Sequence, residues 1–260
     1  MPETSPHIAG FELIRPQRPL PYLDCFTTLA SAAQGQSTLE ASFGGGGGSS
    51  PIAQSNRSKL AKALAPTPLT WLALEHACRI RELPAESSPA RPLTGDAVIL
   101  GRRGQAAALT TADCLPIVLV DADPEPCAAL IHAGWRGLAA GIIEAVLKRL
   151  TMHYRVNPVT LQVWIGPCIH QSDYEIGADA HTELGASPSV APGHFQSEPE
   201  RPGHWLADLP GIAQAKFSAW GIDAAHVQVF PESTKSSPAL YSVRRDGQDT
   251  GRMATVIALR

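Results

Sequence analysis

The sequence predicts a mixed α/β (α+β) protein built as one domain. Short apolar runs broken by turn residues recur through the middle and the end of the chain, as in strands buried on both faces. Two further segments show the apolar spacing of amphipathic helices. The chain has 260 residues, 44% of them hydrophobic and 17% charged, which is enough for a full core. These observations together favour a globular fold with both kinds of element.

The N-terminal part of the chain contains a glycine-rich stretch. Five consecutive glycines cannot hold a regular element without a large entropic loss, so residues 44–50 are expected to form a flexible loop. Too little sequence precedes this loop to form a core of its own, and residues 1–260 are therefore interpreted as a single domain. A helix is expected next, over Pro51–Ala65, ended by Pro66. Its expected apolar anchors are Ile52, Leu60 and Leu64.

The middle and C-terminal parts carry the strand signals. Strands are expected at Ala106–Thr110, Ile117–Val120, Cys127–His132, Leu161–Ile165, His226–Phe230 and Met253–Leu259. Between them, Leu138–Leu150 has its apolar residues on one helical face, which predicts a helix. Lys148 and Arg149 would then lie in its last turn, where positive charge is favourable.

The charge pattern excludes some functions. Formal net charge is −3, and no run of Lys or Arg exceeds two residues. Nucleic acid or an anionic membrane surface usually requires a concentrated basic face, so neither is expected as a partner. No apolar stretch approaches the roughly 20 residues of a membrane span. Met1–Leu20 carries proline and charge in place of a signal peptide's apolar run, so a cytoplasmic protein is expected, as monomer or homodimer.

Cys114 lies at a break between two expected strands, in Thr110-Thr111-Ala112-Asp113-Cys114-Leu115-Pro116. The proline forces extended or turn geometry on the residue before it. Of the five cysteines in the chain, most are expected to be inert core thiols, and this residue alone could be one too.

His132 follows an apolar run and precedes a glycine-flanked turn, in Ile131-His132-Ala133-Gly134-Trp135-Arg136-Gly137. Taken singly it could be a satisfied core histidine. Cys114 and His132 on consecutive strands can converge, however, and thiolate with imidazole suits either zinc or a thiolate–imidazolium nucleophile. A third ligand would decide between them. The candidate is His76, in the apolar, strand-like run Trp71–Ile80.

Four motifs, taken together, resemble a known family. They are Thr-Ala-Asp-Cys-Leu-Pro (111–116), His-Ala-Gly-Trp-Arg-Gly (132–137), Ile-Gly-Pro-Cys-Ile-His-Gln-Ser-Asp-Tyr-Glu-Ile-Gly (165–177) and Arg-Arg-Asp-Gly…Thr-Gly-Arg-Met-Ala (244–254). In this order they are similar to the YfiH family, also called the laccase-domain or polyphenol-oxidase family. The resemblance extends from about Phe26 to the C-terminus.

The resemblance implies a domain layered α-β-β-α and purine nucleoside phosphorylase activity. The implied substrates are adenosine, inosine and guanosine with phosphate, and the implied side activities are adenosine deaminase and methylthioadenosine phosphorylase. It also implies zinc held by His, Cys and His. The family's Gln-Val-His-Gly pattern falls on Leu74-Glu75-His76-Ala77, and the other two ligands fall on Cys114 and His132.

Substrate-binding residues follow from the chemistry of that reaction. Phosphorolysis needs cations near the sugar, and arginine matches phosphate geometry. Arg136, Arg244 and Arg245 are the candidates, and Tyr174 could stack on a purine. Each could equally be a structural residue.

Three other functions remain open from the sequence. A cysteine hydrolase would use Cys114 and His132 without metal. A copper polyphenol oxidase is less favoured, because the chain lacks the paired His-x-His ligands of multicopper sites. A degenerate metal-binding module would bind metal without turnover.

Overall fold

The computed structural model describes residues 7–32, 38–44, 50–83, 92–121 and 126–260. Within these ranges the strands are β1 (His7–Ile8), β2 (Phe11–Ile14), β3 (Leu23–Ala32), β4 (Leu69–Ala73), β5 (Ile80–Glu82), β6 (Leu93–Thr94), β7 (Ala97–Leu100), β8 (Gln105–Thr111), β9 (Leu115–Val120), β10 (Ala128–Ala133), β11 (Gln162–Ile165), β12 (Glu175–Gly177), β13 (Phe195–Ser197), β14 (His204–Ala207), β15 (Val227–Val229) and β16 (Met253–Leu259). The α-helices are α1 (Pro51–Ala63), α2 (Trp135–Ala139), α3 (Ile142–Tyr154), α4 (Ala178–Gly185), α5 (Leu209–Ala219) and α6 (Val243–Asp246). Single 3₁₀ turns lie at Thr38–Ala41, Pro158–Thr160, Gln171–Asp173, Pro192–His194 and Ala224–His226.

Two large sheets and one small sheet organise the chain. The seven-stranded sheet has the order β1-β2-β3-β16-β8-β4-β6, and the six-stranded sheet has the order β15-β11-β9-β10-β7-β5. The strands β12, β14 and β13 form the third sheet. All six strands expected from the sequence are present, with ends displaced by up to two residues, and β16 matches its expected bounds.

The two large sheets pack face to face, with helices on their outer faces. Alternate residues of β9 show this arrangement: Val118 and Val120 pack with Leu109 and Ile257 of the other sheet. Ile117 and Leu119 face the opposite way and pack with α3 and α5. On the far side of the seven-stranded sheet, Leu60 of α1 packs against β8 and β16. This single mixed α/β domain has the α-β-β-α layering implied by the family resemblance.

The first helix is shorter than expected. It begins at Pro51, and Ser50 caps it by accepting a hydrogen bond from Ala53 N at 3.1 Å. Its buried face is formed by Ala53, Asn56 and Leu60. Ile52 lies off that face with 43% of its surface exposed, so the prediction that it anchors the helix was wrong. Of the expected glycine-rich loop, residues 45–49 lie outside the described residues.

The second expected helix is two helices. The break is at Gly141, whose φ of 82° is in the left-handed region that glycine adopts without strain. Helix α3 continues four residues past the expected end, so Lys148 and Arg149 are not in its last turn. Arg149 instead forms an ion pair with Glu82, with 2.7 Å between Nη1 and Oε1.

No helix in the described ranges is both long and apolar enough to cross a bilayer.

Candidate metal centre

Strand register brings two of the expected ligands to one corner of the six-stranded sheet. In the β9–β10 pair, Ala133 lies opposite Leu115, so Cys114 and Gly134 are the next residues along each strand. A β-carbon built on Gly134 would lie 3.0 Å from Cys114 Sγ. His132, near the end of β10, is two residues before this point. The antiparallel hairpin therefore positions the cysteine beside the histidine strand.

His76 reaches the same corner from a turn, which corrects the expectation of a strand-like run. Strand β4 ends at Ala73, and β5 begins only at Ile80. His76 itself has a φ of 59°, a left-handed conformation uncommon for a residue with a β-carbon. The turn carries its side chain to within 4.7 Å of His132, measured between ring centroids, with the rings at 85°.

The three side chains form a set that fits a metal ion. One ligand atom from each of His76, Cys114 and His132 lies within 4.8 Å of the others. A tetrahedral zinc ion, with bonds of about 2.3 Å to sulfur and 2.0–2.1 Å to nitrogen, would hold such atoms roughly 3.5 Å apart. Two nitrogens and one sulfur are also donors that zinc accepts, and three protein ligands leave a fourth position open.

Asp96 organises two of these ligands, and the sequence reasoning missed it. Its Oδ1 lies 2.9 Å from His132 Nδ1 and also accepts hydrogen bonds from the backbone N–H groups of Glu75 and His76. Its Oδ2 accepts one from Ala77 N at 2.9 Å. The side chain has no exposed surface. The signal in the sequence was an aspartate directly before the apolar run of β7.

Electrostatics within the cluster favour a thiolate. Burial raises the pKa of Cys114, but the positive charge of His132 and hydrogen bonds from His132 and His76 outweigh it and lower the pKa to about 6. Burial lowers the pKa of His132, but the Cys114 thiolate and the Asp96 hydrogen bond outweigh it and raise the pKa to about 9. These directions describe a thiolate beside an imidazolium. The same thiolate is the form that binds a metal.

Asp113 joins the cysteine motif, by hydrogen bonds, to chain segments that are distant in sequence and lie beside the site. Its φ is 97°, and its carboxylate accepts hydrogen bonds from Thr234 Oγ1 at 2.6 Å and Arg244 N at 2.8 Å. Its carbonyl oxygen accepts one from Ile169 N at 2.9 Å. Three of the four sequence motifs therefore meet at this aspartate, next to Cys114.

Tyr174 and two of the candidate arginines lie on the same side of the molecule. The guanidinium carbon of Arg244 is 4.9 Å from the centre of the Tyr174 ring, and that of Arg136 is 4.3 Å from the Trp135 ring. Burial raises the pKa of Tyr174 to about 12, with a further contribution from the nearby Cys114 charge. The phenol is therefore neutral. Arg136 is exposed, and no carboxylate in the described ranges forms an ion pair with it or with Arg244.

The third candidate arginine has different surroundings. The guanidinium of Arg245 forms two hydrogen bonds with the Asp246 carboxylate, at 2.8 and 2.7 Å. Its other N–H groups donate to the backbone carbonyls of Thr234, Lys235, Ser237 and Leu240. These contacts occupy the whole guanidinium, so we assign Arg245 to holding the 234–246 segment rather than to binding an anion.

The remaining cysteines behave largely as expected. Cys25, Cys127 and Cys168 are buried and free, and burial raises the pKa of each thiol, to about 12 for Cys127. Cys78 is half-buried, and its Sγ lies 3.7 Å from the carbonyl oxygen of Gly137. Cys114 is the cysteine in this chain with a lowered thiol pKa.

Two cavities lie away from the metal cluster. One, of about 350 Å³, is lined by residues that include Tyr241, Arg245 and Asp249. The other, of about 410 Å³, is lined by residues that include Arg18, Trp164 and Phe230. Neither of these two cavities is lined by His76, Cys114 or His132, so the chemistry of the side chains identifies the site.

Comparison with known proteins gives a consistent assignment. The family model described as multi-copper polyphenol oxidoreductase laccase matches residues 33–260. A purine nucleoside phosphorylase of Pseudomonas aeruginosa is 35% identical over 208 residues, which cover 80% of each chain. The purine nucleoside phosphorylase YfiH of Escherichia coli K12 is 30% identical over 211 residues, 79% of this chain and 80% of the relative.

Among solved structures, the hypothetical protein YfiH of Bacillus licheniformis superposes with a TM-score of 0.82 at 22% identity, covering 92% of this chain and 93% of its own. At this identity the likeness concerns the fold. YlmD of Geobacillus stearothermophilus has a TM-score of 0.79 at 26% identity, covering 95% of this chain and 98% of its own.

Proposed function

The chain belongs to the YfiH family, the polyphenol oxidoreductase laccase family, and on that premise we propose that it is a zinc-dependent purine nucleoside phosphorylase. Its proposed substrates are adenosine, inosine and guanosine, each with inorganic phosphate. Adenosine deaminase and methylthioadenosine phosphorylase are the proposed side activities. The observation that carries the proposal is the convergence of His76, Cys114 and His132 in a chain whose relatives bear the name of that activity.

The proposed reaction replaces one bond at the ribose. A phosphate oxygen forms a bond to the anomeric carbon, the bond from that carbon to the purine nitrogen breaks, and the purine leaves with the electron pair and takes up a proton. A zinc ion held by the three ligands would supply a Lewis acid beside the substrate. Other side chains must then hold the nucleoside and the phosphate in the geometry that the reaction requires.

We assign that positioning to the residues on the Tyr174 side of the cluster. The neutral Tyr174 ring offers an aromatic face for the purine, and Arg244 lies across it at 4.9 Å. Arg136 and Arg244 provide positive charge without a carboxylate partner in the described ranges, as an anionic co-substrate requires. A hydrogen bond from the Arg244 backbone N–H to the Asp113 carboxylate holds the Arg244 backbone next to the cysteine motif.

Product analysis tests the reaction type. Purified protein incubated with inosine and phosphate should yield hypoxanthine and ribose 1-phosphate in equal amounts, detected by chromatography and by ³¹P NMR. Omitting phosphate should stop base release. Free ribose in place of ribose 1-phosphate would show hydrolysis and would reject phosphorolysis.

A cysteine hydrolase is a second candidate, favoured by the thiolate–imidazolium character of Cys114 and His132 and by the aspartate on His132 Nδ1. It predicts full turnover after metal has been removed with a chelator, and complete loss of turnover after alkylation of Cys114. The phosphorylase proposal predicts loss of turnover with the chelator and recovery when zinc is restored.

A further inference from the structure

A single buried carboxylate links the two histidines of the metal cluster. Asp96 directly precedes β7, and the pairing of Ala97 with Ile131 places Asp96 opposite His132 at the end of the β7–β10 ladder. Two contacts join these residues: the His132 backbone N–H donates to the Asp96 carbonyl at 2.7 Å, and Nδ1 meets the carboxylate at 2.9 Å. This leaves Nε2 of His132 as the nitrogen that is available to a metal.

The same carboxylate collects three consecutive backbone N–H groups from the turn that carries His76. They belong to Glu75, His76 and Ala77, at 3.2, 2.9 and 2.9 Å. An anion held by successive backbone N–H groups fixes the conformation of the turn that supplies them. The left-handed φ of His76 is thus compensated by hydrogen bonds to Asp96 rather than by the residue type.

We propose that Asp96 is a positioning residue that preforms the metal site, holding His76 and His132 in ligand geometry before a metal arrives. Four of its donors come from two separate chain segments, and the β4–β5 turn has no strand pairing of its own to fix His76. The buried charge of Asp96 is compensated by these donors. Cys114 does not depend on Asp96, because the β9–β10 hairpin and Asp113 hold it.

Amide exchange in the metal-free wild-type protein tests the proposal without any substitution. The N–H groups of Glu75, His76 and Ala77 should exchange slowly, at rates typical of strand amides. Exchange at the rates of an open loop would overturn the proposal, because the turn would then be unordered until metal binds. This measurement does not involve turnover, so its result tests the role of Asp96 separately from the phosphorylase assignment.

A pair of variants tests the consequence for metal. Asp96→Asn should weaken zinc binding about 10- to 100-fold in a chelator competition, and should alter the visible spectrum of the cobalt-loaded protein. Asp121→Asn is the matched control, because Asp121 is also a buried aspartate. It directly follows β9, at the end of the strand away from Cys114, and its carboxylate accepts a hydrogen bond from Thr160 Oγ1 at 3.2 Å. This variant should lose stability and keep zinc affinity and the cobalt spectrum.

The outcomes separate positioning from general stability. Equal zinc affinity in Asp96→Asn and wild type overturns the proposal, as does an equal loss of affinity in Asp121→Asn. If Asp96→Asn does not fold, Asp96→Glu takes its place, since a longer carboxylate keeps the charge but displaces the three N–H contacts. It should then show the same loss of zinc affinity.

Discussion

Gly134 lies against the sulfur of Cys114, and the space between them is tight for a β-carbon. A β-carbon on residue 134 would be 3.0 Å from Sγ and 3.8 Å from His76 Cδ2. The backbone of Gly134 is extended, with φ of −78° and ψ of 173°, so any residue could adopt its conformation. Glycine is favoured here by the position of one proposed ligand, Cys114, and not by backbone strain.

Gly134→Ala should therefore damage metal binding and spare the fold. The new methyl group must displace Sγ by a few tenths of an ångström, and metal bond lengths tolerate only about 0.2 Å, so zinc affinity should fall about tenfold. The measurement is chelator competition beside a denaturant titration. Gly177→Ala is the control, because Gly177 also precedes a helix in extended conformation and has no atom near its β-carbon position. Unchanged zinc affinity in Gly134→Ala would refute the geometry.

The lowered pKa of Cys114 predicts an unusual pH profile for alkylation. In the metal-free protein, thiolate should predominate above about pH 6, so the rate of Cys114 modification by iodoacetamide should be half-maximal near that pH. An ordinary cysteine reaches this point near pH 8.5. Cys78, whose pKa is raised by burial, should react only at higher pH. Peptide mass analysis distinguishes the two, and a Cys114 midpoint at pH 8 or above would contradict the proposed thiolate–imidazolium pair.

Alkylation of the same protein in the presence of zinc provides a second test. Metal coordination removes the thiolate from attack, so zinc should protect Cys114 and leave Cys78 unprotected.

Arg245 and Arg244 are adjacent in sequence but should respond differently to replacement by methionine. Arg245→Met removes one hydrogen-bond donor from each of four backbone carbonyls and should cost about 1–3 kcal/mol of unfolding free energy. Arg244→Met removes one carbonyl contact and a charge over Tyr174, and should raise KM for phosphate or nucleoside about tenfold with little loss of stability. Denaturant midpoints and steady-state kinetics on both variants check this, and reversed behaviour would refute the assignment.

Tyr174 should act through its ring and not through its hydroxyl. Tyr174→Phe keeps the aromatic face and should leave KM for inosine within about twofold, whereas Tyr174→Ala should raise it about tenfold. An equal rise in KM for inosine in the two variants would show that the phenol hydroxyl, and not the ring, is what matters.

Much of the fold was predictable because its strands are buried on both faces. Runs such as Leu115–Val120 and Met253–Leu259 are apolar apart from Thr255 and buried throughout, and burial between two layers is what produces that pattern. The helix break at Gly141 was not predictable from periodicity, since the apolar spacing continues across it. Strand β13 also falls in a polar stretch without a strand pattern, because it is a short edge strand with two exposed residues.

The proposed site was only partly predictable for a similar reason. Cys114 directly precedes β9 and His132 lies on the neighbouring antiparallel strand β10. Consecutive strands usually pair, so their convergence followed from the sequence order. His76 and Asp96 come from separate connections, and their meeting depends on the register of β5 with β7, while the register of β7 with β10 brings Asp96 to His132. No spacing in the sequence encodes that register. The distinction between Arg244 and Arg245 likewise depends on which backbone carbonyls surround each guanidinium.

The most direct test of the central claim is phosphorolysis measured as a function of zinc content. Metal-free wild-type protein is titrated with zinc in the presence of inosine and phosphate, beside Cys114→Ala. Wild-type hypoxanthine release should rise in proportion to bound zinc and saturate at one ion per chain, while Cys114→Ala should neither retain zinc nor release base. Phosphorolysis that is unaffected by zinc removal, or that survives in Cys114→Ala without metal, would contradict the account.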